Sequence, residues 1–414
     1  MHLITHLEQA LAALPPQPTI VIHTGFAEPA LLTAQLAECA PRLSGAQVYV
    51  FMPMGDAPYA SPEATQHLQV HAFFPGKALR KPIGAGRVTP NMTRFSQVPD
   101  LFARGEIRAD LLLLQVSEAD AQGRYSLGLA VDYMPAVLAQ QPVVVAEVNP
   151  QVPRTHGSTW LAPSQLQFAL AHDAAPLTSE RAQGDALEQQ IAQHVAGLVE
   201  SGDVLQLGIG ALPDLVLGQV SHLQHLGLHS GILGDAVRPL IESGVVDNSS
   251  KREHAGTTIT TMVGGSADFY RWLHDNPAVQ LHPCNHTHGL STLAAIDQLC
   301  CINSVLQMDL SGRANAQSVG GRLISTPGGL LDFAQGARAA KRGKSIIALR
   351  SANADASVSN ILRTLDPQDP VSLQASDIDH VVTEYGVATL RGQSPEGVAR
   401  ALRAIAHPNF REDL

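Results

Sequence analysis

Two glycines set the chemistry this chain could do. The apolar run Val204-Leu205-Gln206-Leu207 meets Gly208 and Gly210, and Pro213 then opens Asp214-Leu215-Val216-Leu217-Gly218-Gln219-Val220, whose apolar spacing predicts a helix. Strand, glycine turn and helix, in that order, present main-chain N–H groups to an anion or an oxyanion. The same string also describes a sterically tight strand-to-helix connection, so local sequence leaves both readings open. A second cluster, His282, Cys284, His286 and His288 in LHPCNHTHG, falls at every second position and would share one face of an extended segment. Zinc pairs usually have two to five residues between them, and even spacing strains a site built on one strand. A polar loop without metal is the expectation.

The elements around these residues alternate. Val48–Met52, Leu111–Val116 and Val143–Val148 read as strands of the continuous apolar kind found in parallel sheets, with a helical pattern from Met134 to Gln140. Ser345–Leu349 and His380–Glu384 look like two further strands. A faint repeat links the halves: placing Pro29 on Pro213 brings Ala27 onto Ala211, Leu31 onto Leu215 and Gln35 onto Gln219. Thr19-Ile20-Val21-Ile22 precedes one turn as Val204–Leu207 precedes the other, which suggests duplication, though a common βα pattern would produce the same matches. The polar stretch Asp173–Gln190 separates the halves and leads into a helix expected to run through IAQHVAGLVESG. The reading is α/β: two similar open α/β domains, residues 1–187 and 188–414.

Composition narrows the function. The 414 residues are 45% hydrophobic, enough for two buried cores, and carry a formal net charge of −10 with no dense Lys/Arg tract. That balance argues against nucleic acid or an anionic membrane as partner. The N-terminal segment lacks the pattern of a signal peptide, no run reaches the length of a membrane helix, and four cysteines make no disulfide framework. A cytoplasmic location is expected.

LGIGALPDLVL (207–217), LGLHSGILGD (226–235), MGDAPYASPE (54–63), VSEADAQGRYSLG (116–128), EVNPQVPRTHG (147–157), INSVLQMDLSG (302–312), PGGLLDFAQGA (327–337), EYGVATLRG (384–392) and the tail IAHPNFREDL follow one another in this chain. In that order they resemble the acetyl-CoA hydrolase/transferase family, which includes 4-hydroxybutyrate and butyryl-CoA:acetate CoA-transferases. The resemblance implies CoA-transferase-type domains with the active site at their interface. It also implies a glutamate that attacks the acyl-CoA thioester and carries CoA to a second carboxylic acid. Here Gly231 stands where that glutamate is expected, and glycine cannot be a nucleophile. Gly208, Gly210 and Ala211 would bind the thioester oxygen. Gly328 and Gly329 match a second glycine turn lining the CoA site, with Leu330 in place of its usual glutamine. Gln317 and Thr389 stand where acidic residues are frequent. Together these departures suggest an altered pocket in an intact scaffold.

Candidates for the missing group are His229 as a base, with Asp235 and Glu28 as carboxylates. Asp235 looks inherited, because the family already has an acid there. Glu28 also reads as helix N-terminal charge. Asp56 and Glu147 match family-type positions, and Glu147 reads as a structural hydrogen-bonding corner. The substrates implied are an acyl-CoA and a small carboxylate, with CoA as a substrate moiety, no tightly bound cofactor and no metal; a homo-oligomer is expected. Three reactions stay open. The first is CoA transfer by a variant of the family mechanism. The second is hydrolysis, or retro-Claisen cleavage of a β-oxo acyl-CoA, without a covalent glutamate intermediate. The third is CoA binding without catalysis.

Overall fold

A computed structural model describes residues 1–180 and 183–414. The chain divides into two compact units, Met1–Ser179 with Thr260–His286, and Glu180–Ile259 with Thr287–Leu414. The first unit is built on an eight-stranded sheet of β1 (His2–Leu3), β2 (Thr19–Ile22), β3 (Gln47–Phe51), β4 (Gln69–Phe74), β5 (Val88–Pro90), β6 (Leu111–Val116), β7 (Val143–Val148) and β8 (Phe168–Ala171). Their spatial order is β1-β8-β7-β6-β2-β3-β4-β5, every pair parallel. All six residues of β6 are buried, as a central parallel strand covered on both faces requires. Helix α1 (Ala30–Cys39) places Leu32 and Leu36 in the same core as Ile20 and Ile22.

The second unit opens with α2 (Ala186–Ala196), whose N-cap Asp185 accepts from Glu188 N at 3.0 Å. The helix stops at Ala196, with Gly197 as its C-cap, short of the IAQHVAGLVESG span expected. The expected boundary stretch 173–190 contains Arg181 and Ala182, which lie outside the described residues. Strands β9 (Val204–Gln206), β10 (Gly227–Leu228), β11 (Leu299–Ser304), β12 (Lys344–Ala348), β13 (His380–Thr383) and β14 (Gly386–Thr389) form a sheet ordered β10-β9-β11-β12-β13-β14. Only the last pair is antiparallel. Helix α3 (Ala211–Gln219) follows β9, and α4 (Leu290–Ala294) and α5 (Leu330–Ala339) precede β11 and β12. Phe333 and Ala337 of α5 pack in one cluster with Leu299 and Cys301 of β11.

The faint sequence repeat has a topological counterpart. In each unit the first strand of the shared core, β2 or β9, lies between the second strand on one side and the third, fourth and fifth on the other. The order is β3-β2-β6-β7-β8 in one and β10-β9-β11-β12-β13 in the other. Such an order reverses direction beside its first strand, and open α/β sheets bind ligands at the carboxyl ends of the strands at that reversal.

A single cut after residue 187 has no counterpart for the segment 260–286, which packs with the N-terminal strands. Its hydrogen bonds explain why: Val131 N donates to Thr261 O at 2.9 Å, Val263 N to Leu129 O at 2.8 Å, and Cys284 N to Asp132 O at 2.9 Å. Each joins residues more than 120 positions apart. Gly264 fits only because it has no side chain, since a Cβ there would lie 1.9 Å from the Phe26 ring.

Candidate active site

The turn after β9 is open. Neither Gly208 nor Gly210 has any other atom within 4 Å of where a Cβ would stand, and both are exposed. Gly210 has φ +125° and ψ −177°, a conformation closed to L side chains, and it is the N-cap from which α3 starts at Ala211. The first-turn N–H groups of a helix have no partner within it and carry its positive end. Gly208, Gly210 and Ala211 therefore present open main chain at the carboxyl end of β9, where α3 starts. In the first unit the corresponding turn is filled: Gly25, Phe26 and Ala27 form a buried 3-10 turn.

Parallel pairing brings Gly231 to the same edge. Val204 pairs with Gly227 and Leu205 with Leu228, His229 N donates to Leu205 O at 3.0 Å, and Ser230 Oγ donates to Leu207 O. Carried one step further, that register sets Gly231 opposite Gly208. Helix α5 returns toward the amino end of β12 through the short turn 340–343, so its own N-terminus, with Gly328 at φ +55° and Gly329 as N-cap, lies on the carboxyl side too. Leu330 begins that helix and packs half-buried against the core, a role a glutamine amide would fill poorly.

The ring of His288 joins these glycines. Its Nε2 lies 2.7 Å from where a Cβ on Gly231 would stand and 2.7 Å from where one on Gly329 would stand. Phe333 of α5 backs the imidazole, with ring centroids 4.5 Å apart. His288 is 3% exposed, whereas both glycines are partly exposed. Its Nδ1 lies 2.8 Å from Thr287 Oγ1, so Nε2 is the nitrogen directed at the glycines. An imidazole thus stands where the side chain of residue 231 would leave the backbone.

His229 supports this arrangement from behind. Buried to 1% exposure, its Nε2 sits 2.9 Å from the Thr287 carbonyl, which can only accept, so that nitrogen carries the proton. Through this contact His229, the base candidate of the sequence, is joined to the chain just before His288. Beneath the same strand, the buried Lys251 Nζ donates to Leu228 O at 3.1 Å and Thr257 O at 2.6 Å, and burial lowers its pKa to about 7.

Of the other sequence candidates, Glu28, Glu147 and Asp56 belong to the first unit and Asp235 to the second. Asp235 is half-buried beyond the short strand Ile232–Leu233, and its carbonyl accepts from Arg238 N at 3.2 Å. Glu28, in the first unit, is buried. Its Oε2 accepts from Met54 N at 3.1 Å and Gly55 N at 3.0 Å, and its Oε1 accepts from Tyr59 Oη at 3.2 Å. Burial pushes its carboxyl above the ordinary range against the pull of these donors. Glu28 therefore holds the 54–59 loop. Glu147 takes the N–H groups of Leu31 at 3.0 Å and Leu32 at 3.1 Å and meets His172 Nδ1 at 2.7 Å, the structural corner expected. Asp56 is exposed.

The departures do not all converge. Thr389 is exposed, its Oγ1 3.2 Å from His380 Nδ1 at the amino end of β13, away from the carboxyl edge. Gln317 is buried among turns of 314–325 and donates from Nε2 to Ser372 Oγ at 2.9 Å. Gly231 and Leu330 alone adjoin His288's surroundings. The alternating His/Cys cluster does not share a face either, because Cys284–Thr287 is a turn of helix. His282 Nδ1 meets Ser158 Oγ at 3.2 Å and Cys284 Sγ donates to Phe95 O at 3.4 Å. Among the described residues no group of three His, Cys, Asp or Glu side chains is placed to hold a metal ion.

Residues 6–178 match the model of the acetyl-CoA hydrolase/transferase N-terminal domain, and residues 265–414 that of the C-terminal domain. The chain is also 33% identical to the 4-hydroxybutyrate coenzyme A transferase of Clostridium kluyveri over 98% of its own length and 95% of that protein. The chain belongs to the acetyl-CoA hydrolase/transferase family. Among solved structures it is similar to RipA from Yersinia pestis, at 30% identity and a TM-score of 0.93, covering 100% of this chain and 96% of the other. It is likewise similar to a 4-hydroxybutyrate CoA-transferase from Porphyromonas gingivalis, at 31% identity and a TM-score of 0.84 with the same coverage. Among the described residues no helix is long and apolar enough to cross a membrane.

Proposed function

We propose that this enzyme acts on acyl-CoA thioesters at the carboxyl edge of its second unit's sheet, without forming an enzyme-bound CoA thioester at position 231. The observation that carries this is the pairing of open main chain at Gly208, Gly210 and Ala211 with a glycine at the neighbouring strand end, where the family resemblance calls for the attacking carboxylate. The thioester oxygen would accept from the N–H groups at the start of α3, which meet the charge as it develops on that oxygen. Gly328 and Gly329 at the start of α5 would line the CoA side. The full-length likeness to a CoA-transferase supports transfer of CoA to a small carboxylic acid as the first reading. A second reading, hydrolysis, is favoured by the glycine at position 231, which leaves the attack on the thioester to water. The protein is incubated with a panel of acyl-CoAs, with and without acetate, and CoA release and intact mass are followed. Turnover with no mass increase of one CoA is expected. A CoA adduct mapping to residues 226–235, or no turnover with any acyl-CoA, would defeat the proposal.

A further inference from the structure

We infer that the first unit carries a binding site for a small monocarboxylate with an apolar body, in a cleft at the amino edge of its sheet, where Arg104 and Arg108 take the carboxylate. The cleft has a volume of about 630 Å³, in the range of pockets that hold small molecules. It spans the leads into three neighbouring strands. Pro15 lies just before β2, Asp110 directly before β6 and Pro142 directly before β7, and β6 pairs with β2 on one side and β7 on the other. Open α/β sheets bind their substrates at the opposite, carboxyl edge, so an occupant here leaves that edge free.

The wall that bears the arginines is built before any ligand arrives. Gln140 commits its whole amide to it: Nε2 donates to Phe102 O at 2.5 Å and Ile107 O at 2.8 Å, and Oε1 accepts from Ala109 N at 2.8 Å. Gly105, at φ +71°, makes the turn within this segment, and a Cβ there would lie 3.6 Å from Arg108 Nε, so the Arg108 side chain lies back across the turn. Arg104 approaches Asp100 only to 3.7 Å with both side chains exposed, and among the described residues Arg108 enters no ion pair. Of the side chains lining the cleft, one is acidic: Asp110, whose Oδ2 already accepts from Thr19 N at 2.8 Å. Two guanidinium groups against one carboxylate leave one positive charge over, which a monoanion matches and a dianion exceeds. A guanidinium fork presents paired N–H donors to the two oxygens of a carboxylate. Pro15, Pro142 and Val143 offer apolar surface to the rest of the ligand.

The test labels the arginines of the full-length protein with phenylglyoxal and locates the label by peptide mass. Labelling is followed in butyrate, inorganic phosphate, butylammonium and sodium chloride at equal ionic strength, so that screening alone is common to all four. Butyrate at about ten times its dissociation constant is expected to slow labelling of Arg104 and Arg108 about tenfold relative to chloride. Phosphate is expected to protect less than butyrate, and butylammonium, with the same tail and the opposite charge, not at all. The readout sits on the two arginines, so a carboxylate bound elsewhere in the chain does not enter it. Arg108→Gln, a change at an exposed side chain that the fold tolerates, is expected to abolish the protection of Arg104, and Arg104→Gln that of Arg108. Labelling of both arginines that butyrate leaves unchanged would overturn the inference, as would equal protection by butylammonium. Protection by phosphate as strong as that by butyrate would overturn the assignment to a monocarboxylate with an apolar body. Protection of Arg104 that persists in full in Arg108→Gln would overturn the joint role of the two guanidinium groups.

Discussion

Gly231→Ala puts a number on the contact that defines the site. The added Cβ would stand 2.7 Å from His288 Nε2 and 2.9 Å from Cε1, well inside van der Waals contact, so either the ring or the strand must give. The ring cannot retreat easily, because Gly329 already stands against its Cδ2 edge and Phe333 against its face. Overpacking of this kind costs about 1–3 kcal/mol. At the scale of a unit of this size, that lowers the melting temperature by about 2–4 °C for each kcal/mol. Removing the ring should reverse the sign. The φ of Gly231 is not in the left-handed region, so in a His288→Ala background the same Gly231→Ala change relieves no clash and should stabilise by about 0.4–1 kcal/mol through reduced freedom of the unfolded chain. A double-mutant cycle by denaturant titration of the four proteins therefore expects a coupling of about 2–3 kcal/mol between positions 231 and 288. Equal effects of Gly231→Ala in both backgrounds, within about 0.5 kcal/mol, would refute the claim that the imidazole is what occupies the space of the missing side chain.

Gly231→Glu alone should gain no covalent CoA, because its Cβ meets the same ring, while Gly231→Glu with His288→Gly should form an adduct of one CoA detectable by intact mass; an adduct on the single variant would contradict the steric argument. Glu147→Gln removes one acceptor from the pair of α1 N–H groups and His172, and should cost about 1–3 kcal/mol with turnover per folded molecule unchanged, which a melting curve and an activity assay resolve. Lys251 has its pKa lowered to about 7 by burial, so above pH 7 the unfolded chain holds a proton that the folded chain has released, and stability rises from pH 7 toward the unfolded lysine value near 10.5. Unfolding free energies of wild type and Lys251→Met measured from pH 7 to 10 should show this rise in the wild type and a flatter line in the variant; parallel lines would exclude Lys251 as its source.

Strands were legible wherever burial on both faces demands an unbroken apolar run, as in Leu111–Val116 and Val143–Val148, whose bounds match the sequence expectation. The motif order disclosed the family, and the glycine turn after Leu207 disclosed one helix N-terminus. What escaped depends on residues far apart in the chain. Segment 260–286 joins the first unit through hydrogen bonds to Leu129, Val131 and Asp132, and no local pattern encodes them. His288 drew notice only as one of four alternating residues, because its neighbours Gly231 and Gly329 lie 57 and 41 positions away and neither has a side chain to suggest a partner. Thr389 was grouped with the pocket by motif alone, while the β13–β14 hairpin puts it at the strand's opposite end. Sequence shows the ring of His229 near a lost nucleophile, but not that its Nε2 faces the Thr287 carbonyl.

The shared strand order of the two units turns on one difference in how the turn after the first core strand is used. After β2, Gly25–Ala27 are buried, and the next residue, Glu28, puts its carboxylate into the 54–59 loop and the Tyr59 hydroxyl. After β9, Gly208 and Gly210 stand clear, with no side chain reaching their Cβ positions. The second core strand repeats the contrast: β3 runs into the loop that closes on Glu28, whereas β10 runs through buried His229 and Ser230 to a glycine. Two sheets of one strand order offer two carboxyl edges, and at the first the Glu28 carboxylate is taken up by the 54–59 loop. In the second, the glycines at 231 and 329 leave room for one imidazole brought in from outside the sheet, on the segment just before α4. The group that fills the space of residue 231 is thus carried by another segment, and the hydrogen bonds of β9 to the 227–230 strand stay in place.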